Sequence, residues 1–281
     1  MTSNEENFKA IRQSPSLILA ERDIDLLARP ELRALRLQLE FLKPELSLIE
    51  NQIKSTIVVF GSTQIREREL AETRLRKAQD LAAEDPGNAR RARQASRCER
   101  LLAKSHYYDT AREFARLVSM LGQDDGERHY VIVTGGGPGL MEAANRGAFD
   151  VGAKSVGLNI LLPAEQQPND YITPELCFQF HYFSLRKLHF LLRAKALVIF
   201  PGGFGTMDEL FDALTLRQTQ RMQEIPIVMV GREYWERVLD LQYLADEGVI
   251  SDDDLNLIQY AETPQEILRI IQRYYQEQAG E

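Results

Sequence analysis

The chain has 281 residues, 44% of them hydrophobic, which is ample for a substantial core in one large domain or two small ones without covalent staples. A formal net charge of −8 argues against wholesale nucleic-acid binding, and two cysteines, Cys98 and Cys177, are too few for a disulfide framework and lack the spacing of a zinc or redox motif. No run reaches the roughly 18 apolar residues of a membrane helix, and "MTSNEENFKAIRQSPSL" lacks the basic head and apolar run of a signal peptide, so the expected setting is the cytoplasm, with no membrane.

Residues 1–54 read as an N-terminal helical extension. Within it Leu32, Leu35, Leu39, Leu42, Leu46, Ile49 and Ile53 alternate spacings of three and four, a heptad-like stripe expected to pack on the chain's own core, with a subunit contact as the alternative. Pro44 withholds a backbone donor there, which predicts a kink or two helices. The β-branched run "STIVVFGST" (55–63) predicts a buried strand leading into a turn. Residues 66–104 follow, with 11 Lys and Arg against 7 Asp and Glu and a break at "EDPGN" (84–88). They read as a helical hairpin inserted after the first strand, its charge a solvated face laced with ion pairs or, alternatively, an attractor of anions or a partner.

From there helices and strands alternate. "YYDTAREFARLVSML" reads as a helix, "YVIVTGGG" as a strand, "GLMEAANRGAFDVG" as a helix, and "KSVGLNI" and "CFQFHYF" as strands. The helix "SLRKLHFLLRAK", the strand "ALVIFPGG", the helix "TMDELFDALTLRQTQ", the strand "IPIVMVG", the helix "EYWERVLDLQYLADEG", the strand "LNLIQYAE" and the helix "TPQEILRIIQRYYQEQ" complete the chain. Continuous apolar strands between amphipathic helices predict an α/β, Rossmann-like doubly wound parallel sheet over residues 55–281, carrying the hairpin as an insertion.

In such folds ligands bind beyond the carboxyl ends of the strands. Two glycine loops stand there, each opening a helix: "TGGGPGLME" with Gly135, Gly136, Gly137 and Gly139, and "PGGFGTMDE" with Gly202, Gly203, Gly205 and Thr206. Glycine admits close approach of a ligand to the backbone, and the free N–H groups of a helix start favour phosphate. Neither loop fits G-x-G-x-x-G, because Leu140 and Asp208 fall at the last position, and neither ends in Gly-Lys-Ser/Thr. A mononucleotide therefore fits better than a dinucleotide or an ATPase P-loop. Each glycine has an alternative as a tight turn, and Thr206 with Glu209 has one as a T-x-x-E capping box.

"PGGFGTMDE" satisfies PGGxGTxxE, an Arg-Lys pair lies one helix and one strand upstream in "SLRKLHFLLRAKALVIF", and "GGGPGLMEAANRGA" supplies a further glycine segment. In these three motifs, over roughly residues 55–275, the chain resembles the LOG (Lonely Guy) family of nucleoside-monophosphate phosphoribohydrolases, whose relatives often carry a lysine decarboxylase label. The resemblance implies an N-glycosidase (EC 3.2.2 class) that splits a purine nucleoside 5′-monophosphate, AMP or an N6-modified AMP such as a cytokinin riboside monophosphate, into free base and ribose 5-phosphate. It implies Arg186 and Glu209 as catalytic residues.

The residue chemistry is compatible with that reading. A carboxylate at Glu209 stabilises positive charge on the ribose and orients or deprotonates water. Gly202, Gly203, Gly205 and Thr206 hold the phosphate, with Gly135, Gly136, Gly137 and Gly139 in the other glycine loop, Lys187 as an auxiliary binding residue and Ser62, in "FGSTQI", as a further contact. Arg186 sits in the first turns of a helix capped by Ser184. His181 and His189 are expected to pack rather than react. No metal or cofactor is expected; pyridoxal phosphate in particular lacks a marked Schiff-base lysine and ring-nitrogen partner. The resemblance also implies a homodimer or larger even assembly. A non-catalytic nucleotide or cofactor carrier of the same fold is the alternative.

Overall fold

The computed structural model describes residues 3–123, 126–162 and 167–279. The chain divides into two compact units, Met1–Glu45 and Leu46–Glu281. In the first, helix α1 (Asn4–Gln13) opens on a reciprocal capping box between Ser3 and Glu6, and α2 (Ile24–Ala28) is capped by Asp23. Helix α3 (Arg33–Glu50) carries the chain from one unit into the other.

Pro44 lies inside α3 and does not divide it into two helices. Leu, Gln, Glu and Lys dominate the surrounding turns, and their high helix propensity, summed over 18 residues, outweighs one missing donor. Within the second unit, the heptad-stripe residues Leu46 and Ile49 do not pack on the core as expected: they are 56% and 62% exposed. Leu48 and Ile53, which enter the core instead, are 5% and 2% exposed.

The second unit is the α/β layer. Its elements in order are β1 (Thr56–Phe60), α4 (Arg68–Ala83), α5 (Ala89–Leu102), α6 (His106–Ser119), β2 (Val131–Thr134), α7 (Leu140–Phe149), β3 (Ser155–Ile160), β4 (Cys177–Phe180), α8 (Phe183–Leu191), β5 (Ala194–Ile199), α9 (Phe204–Gln218), β6 (Ile227–Val230), α10 (Arg232–Val238), α11 (Leu241–Asp246), β7 (Ile258–Ala261) and α12 (Pro264–Ala279). Among the described residues the strands form one sheet in the order β4-β3-β2-β1-β5-β6-β7, with every neighbouring pair parallel. This is the doubly wound, Rossmann-like architecture. The order reverses between β1 and β5, where a crevice opens at the carboxyl ends.

Both faces of the sheet are covered, which is why its strands read as unbroken apolar runs. Along β1, Val58 and Phe60 face a core with Phe190 of α8, Leu210 of α9 and Trp235 of α10, whereas Ile57 and Val59 face one with Phe114 of α6, Ala144 of α7 and Ile267 of α12. Burying side chains of this size stabilises by about 1.5–3 kcal/mol each before conformational entropy is counted. Helices α10 and α11 were expected as one; Leu239 is extended between them, and Asp240 caps the second by accepting from the Tyr243 amide at 2.9 Å. Among the described residues no helix is long and apolar enough to cross a membrane.

Candidate functional site

Two loops meet at the reversal between β1 and β5. The Phe200 amide donates to the Phe60 carbonyl at 2.9 Å and the Ser62 amide to the Pro201 carbonyl at 3.0 Å, so the loop after β1 is tied to the glycine loop after β5. They enclose a cavity of about 350 Å³. Ser62, Gly135, Arg186, Gly203, Gly205, Thr206 and Glu209 line it, together with Phe60, Thr63, Gln64, Met141 and Leu162.

Helix α9 starts at Phe204 with Gly203 as its cap, three residues before Thr206. The capping-box alternative for Thr206 and Glu209 therefore fails: Thr206 occupies the third helical position and Glu209 the second turn, too deep to serve an exposed amide. A side-chain oxygen at Thr206 suggested a cap, yet Gly203 takes that role and leaves the first N–H groups of the helix uncovered by any capping side chain. Ser184 does not cap α8 either; Tyr182 stands at that position, with no side-chain capping bond.

The glycines separate into two kinds. A Cβ on Gly203 or Gly205 would meet nothing within 4 Å, so the chain's own packing does not require glycine there, and the room they leave faces the cavity. The others serve the protein itself. Gly136 and Gly139 have φ of +72° and +79°, a region side chains disfavour, and a Cβ on Gly202 would strike Thr206. Gly136, Gly139 and Gly202, like Gly137, do not line the cavity.

The "GGGPG" turn instead forms a bed for Arg186. A Cβ on Gly135 would lie 2.6 Å from Arg186 Nη2. Beneath the turn, a polar network that sequence reading missed fixes its path: Asn169 Nδ2 donates to the carbonyls of Gly136 (3.2 Å) and Gly137 (3.1 Å) and to Asn145 Oδ1 (3.0 Å). The Thr134 hydroxyl donates to Asn145 Oδ1 at 2.7 Å and accepts from the Gly136 amide at 3.0 Å. Asn145 and Thr134 are fully buried, and a polar residue on the inward face of a helix or strand is the signal that could have found them.

Arg186 projects from α8 and is held on three sides. Its Nε donates to the Leu158 carbonyl at 2.7 Å, its guanidinium lies 5.0 Å from the Phe190 ring centroid, and Nη1 stands 3.7 Å from Glu209 Oε1. Burial pulls its pKa below the usual arginine value while Glu209 opposes the shift; the guanidinium stays charged at any working pH.

Glu209 is 8% exposed and its pKa is pushed up to about 7, chiefly by burial. Arg186 and Lys187 work against that rise, and Asp208 and Asp212 add to it. A carboxyl group poised there exchanges a proton near neutrality, which a surface glutamate does not. Lys187 does not line the cavity: Nζ pairs with Asp208 Oδ1 at 2.9 Å and Asp212 Oδ2 at 3.6 Å, bracing α8 against α9. The site thus joins an uncovered helix start, open glycine positions, a fixed cation and a protonatable carboxylate.

A sequence profile for the family described as "Possible lysine decarboxylase" matches residues 141–271. Among individual proteins, the chain is similar to the "Probable cytokinin riboside 5'-monophosphate phosphoribohydrolase LOGL1" of Oryza sativa subsp. japonica, with 29% identity over 57% of this chain and 73% of the relative. It is also similar to the cytokinin riboside 5'-monophosphate phosphoribohydrolase LOG3 of Arabidopsis thaliana, with 26% identity over 61% of this chain and 77% of the relative. The rice enzyme named LOG matches at 27% identity over 62% of this chain and 69% of its own. With both glycine segments and the Arg-Lys helix in the order those motifs require, the chain resembles the LOG family.

Proposed function

We propose that the chain hydrolyses the N-glycosidic bond of purine nucleoside 5′-monophosphates, AMP or an N6-modified AMP, to the free base and ribose 5-phosphate. The observation that carries this reading is Glu209: a buried carboxyl with a pKa of about 7, on the wall of a cavity at a glycine-opened helix start, 3.7 Å from a fixed arginine. The names of the relatives support the same chemistry.

In this reading the phosphate binds at the start of α9, against the amides around Gly203 and Gly205 and the Thr206 and Ser62 hydroxyls, and that remote binding holds the sugar in place. The C1′–N bond breaks with its electron pair leaving on the base, which takes up a proton. Ionised Glu209 faces the positive charge growing on the ribose and accepts a proton from the water whose oxygen bonds to C1′. Arg186 keeps that carboxylate oriented and lowers the cost of ionising it. No cofactor enters the scheme.

The functional form is proposed as a cytoplasmic homodimer or larger even assembly. Phe183 and Leu188 on α8, Leu192 just beyond it, and Phe204 and Phe211 on α9 are 39 to 92% exposed, an apolar surface of the kind subunits bury.

The test is incubation of the purified protein with a panel of nucleoside 5′-monophosphates and separation of the products. Free base and ribose 5-phosphate in equal amounts support the reading. Tight binding of a nucleotide without its cleavage overturns it in favour of a carrier.

A further inference from the structure

The glycine loop after β5 is held from the neighbouring loop after β6. Gly231 follows β6 at φ +86°, where a Cβ would strike the Tyr107 hydroxyl, and its amide donates to the Ala261 carbonyl at 3.1 Å. Trp235, fully buried, fixes the first turn of α10 by donating from Nε1 to the Val230 carbonyl at 3.0 Å. Tyr234 stands beside it, the two ring centroids 5.1 Å apart and the planes at 85°. Its hydroxyl donates to the Gly202 carbonyl at 2.6 Å. Burial raises the pKa of this phenol above its ordinary value, so the donor keeps its proton.

That bond acts on one peptide plane. The Gly202–Gly203 peptide is trans, so its carbonyl and its N–H point in opposite directions, and holding the Gly202 oxygen turns the Gly203 amide away from the phenol. Gly203 is exposed and lines the first cavity, which Tyr234 does not. The Gly203 amide donates to no acceptor among the described residues. Glycines flank the plane on both sides, and a Cβ on Gly203 would meet nothing within 4 Å, so packing resists its rotation weakly. The Tyr234 hydroxyl supplies the missing restraint.

Tyr234 also borders a second cavity, of about 370 Å³, with Arg97, Arg100 and Lys104. Ser62, Gln64 and Gly203 line both cavities, which therefore adjoin. The cations end a row on the inserted hairpin: Arg90, Arg93, Arg97 and Arg100 of α5, then Lys104, are spaced three, four, three and four apart on one face. Among the described residues the ion pairs expected on the hairpin form at Arg68 and Arg91 and not along this row. A phosphate among these cations would compete for a phenol whose single proton is already given to Gly202. Gly205 and Thr206, which belong to the helix start, line the first cavity alone.

We infer that Tyr234 is a positioning residue for the phosphate site, its hydroxyl locking the Gly202–Gly203 peptide so that the Gly203 amide points at the phosphate of a nucleoside 5′-monophosphate. This rests on the mononucleotide reading of the first cavity. Tyr234 acts through Gly202 and leaves the bond-breaking residues unchanged.

The experiment is calorimetric titration of the full chain with orthophosphate, beside steady-state kinetics with AMP, in the parent, Tyr234→Phe, Trp235→Phe and R97Q/R100Q/K104Q, with melting temperatures recorded for each. Tyr234→Phe removes the hydroxyl and keeps the ring. It is expected to weaken orthophosphate binding at least fivefold and to raise KM by a similar factor, with kcat within twofold of the parent. Trp235→Phe loosens the same helix without touching Gly202, so it should lower the melting temperature and keep the phosphate affinity. No orthophosphate binding by the parent, unchanged affinity in Tyr234→Phe, or an equal loss in Trp235→Phe overturns the proposal. Loss of binding in the hairpin variant alone also overturns it, by moving the anion to the second cavity. If Tyr234→Phe weakens orthophosphate as expected while the parent leaves AMP intact, the hydrolase reading falls and the positioning role stands. If AMP is cleaved and Tyr234→Phe binds orthophosphate as the parent does, the positioning role falls and the hydrolase stands.

Discussion

Arg186 and Glu209 approach to 3.7 Å between Nη1 and Oε1, close enough to attract and too far for a hydrogen bond, with side-chain exposures of 13% and 8%. The carboxylate is therefore only partly neutralised by its partner, and burial prevails in setting its pKa. For Glu209→Gln we expect kcat to fall by about 10²–10⁴-fold with little change in nucleotide affinity, because the amide keeps the shape and loses the charge and the proton acceptor. Steady-state kinetics with AMP measure the split between kcat and KM; a change confined to KM would contradict it.

The pH profile of the parent chain follows from the same group. With ionised Glu209 as the proposed working form, kcat/KM is expected to climb with pH up to about 7 and level off above it. The limb should disappear from the residual activity of Glu209→Gln.

Stability should move the other way. The folded-state pKa of Glu209, about 7, lies above the ordinary glutamate value of 4.5, so the protonated folded form is favoured and that contribution fades as pH rises from 4.5 through 7. Holding the charge buried above pH 7 costs on the order of 3 kcal/mol. Glu209→Gln is neutral throughout, so it should melt near the parent at pH 4.5 and above it at pH 8. Scanning calorimetry at both values checks the sign.

Arg186→Lys removes the forked contact at once to the Leu158 carbonyl, the Phe190 ring and Glu209. The expected loss in kcat/KM is about 10²-fold, with the rising limb displaced to higher pH as the carboxylate loses attraction. An unshifted limb would show that Arg186 does not tune Glu209.

The two kinds of glycine should respond oppositely. Gly205→Ala places a methyl group in open space on a helix and should leave stability equal or improve it by up to about 1 kcal/mol, while weakening orthophosphate binding. Gly136→Ala, at φ +72° and against Asn159, should destabilise by more than about 1 kcal/mol. Melting curves and phosphate titrations of both variants read this difference.

The strands were legible in the sequence because a parallel sheet buried on both faces demands unbroken runs such as "IVVF" and "LVIF". The two glycine loops were legible because backbone approach restricts residue choice. Register along a helix was harder. A threonine resembles a cap more than a glycine does, so α9 appeared to begin at Thr206, although Gly203 caps it. The Leu35–Ile49 stripe has the periodicity of a packed face, and periodicity does not say whether the partner is the same chain. Asn145 and Asn169 act through other residues, which leaves no spacing to recognise.

Arg186 and Glu209 flank a single strand, β5, and stand 23 positions apart, whereas the loop at 61–64 that rims both cavities runs directly into the hairpin. In the proposed reading the bond-cleaving pair and the hairpin thus lie in different segments of the chain. Grafting this hairpin onto a shorter relative should carry over its row of cations while leaving the bond-cleaving cassette of the recipient intact.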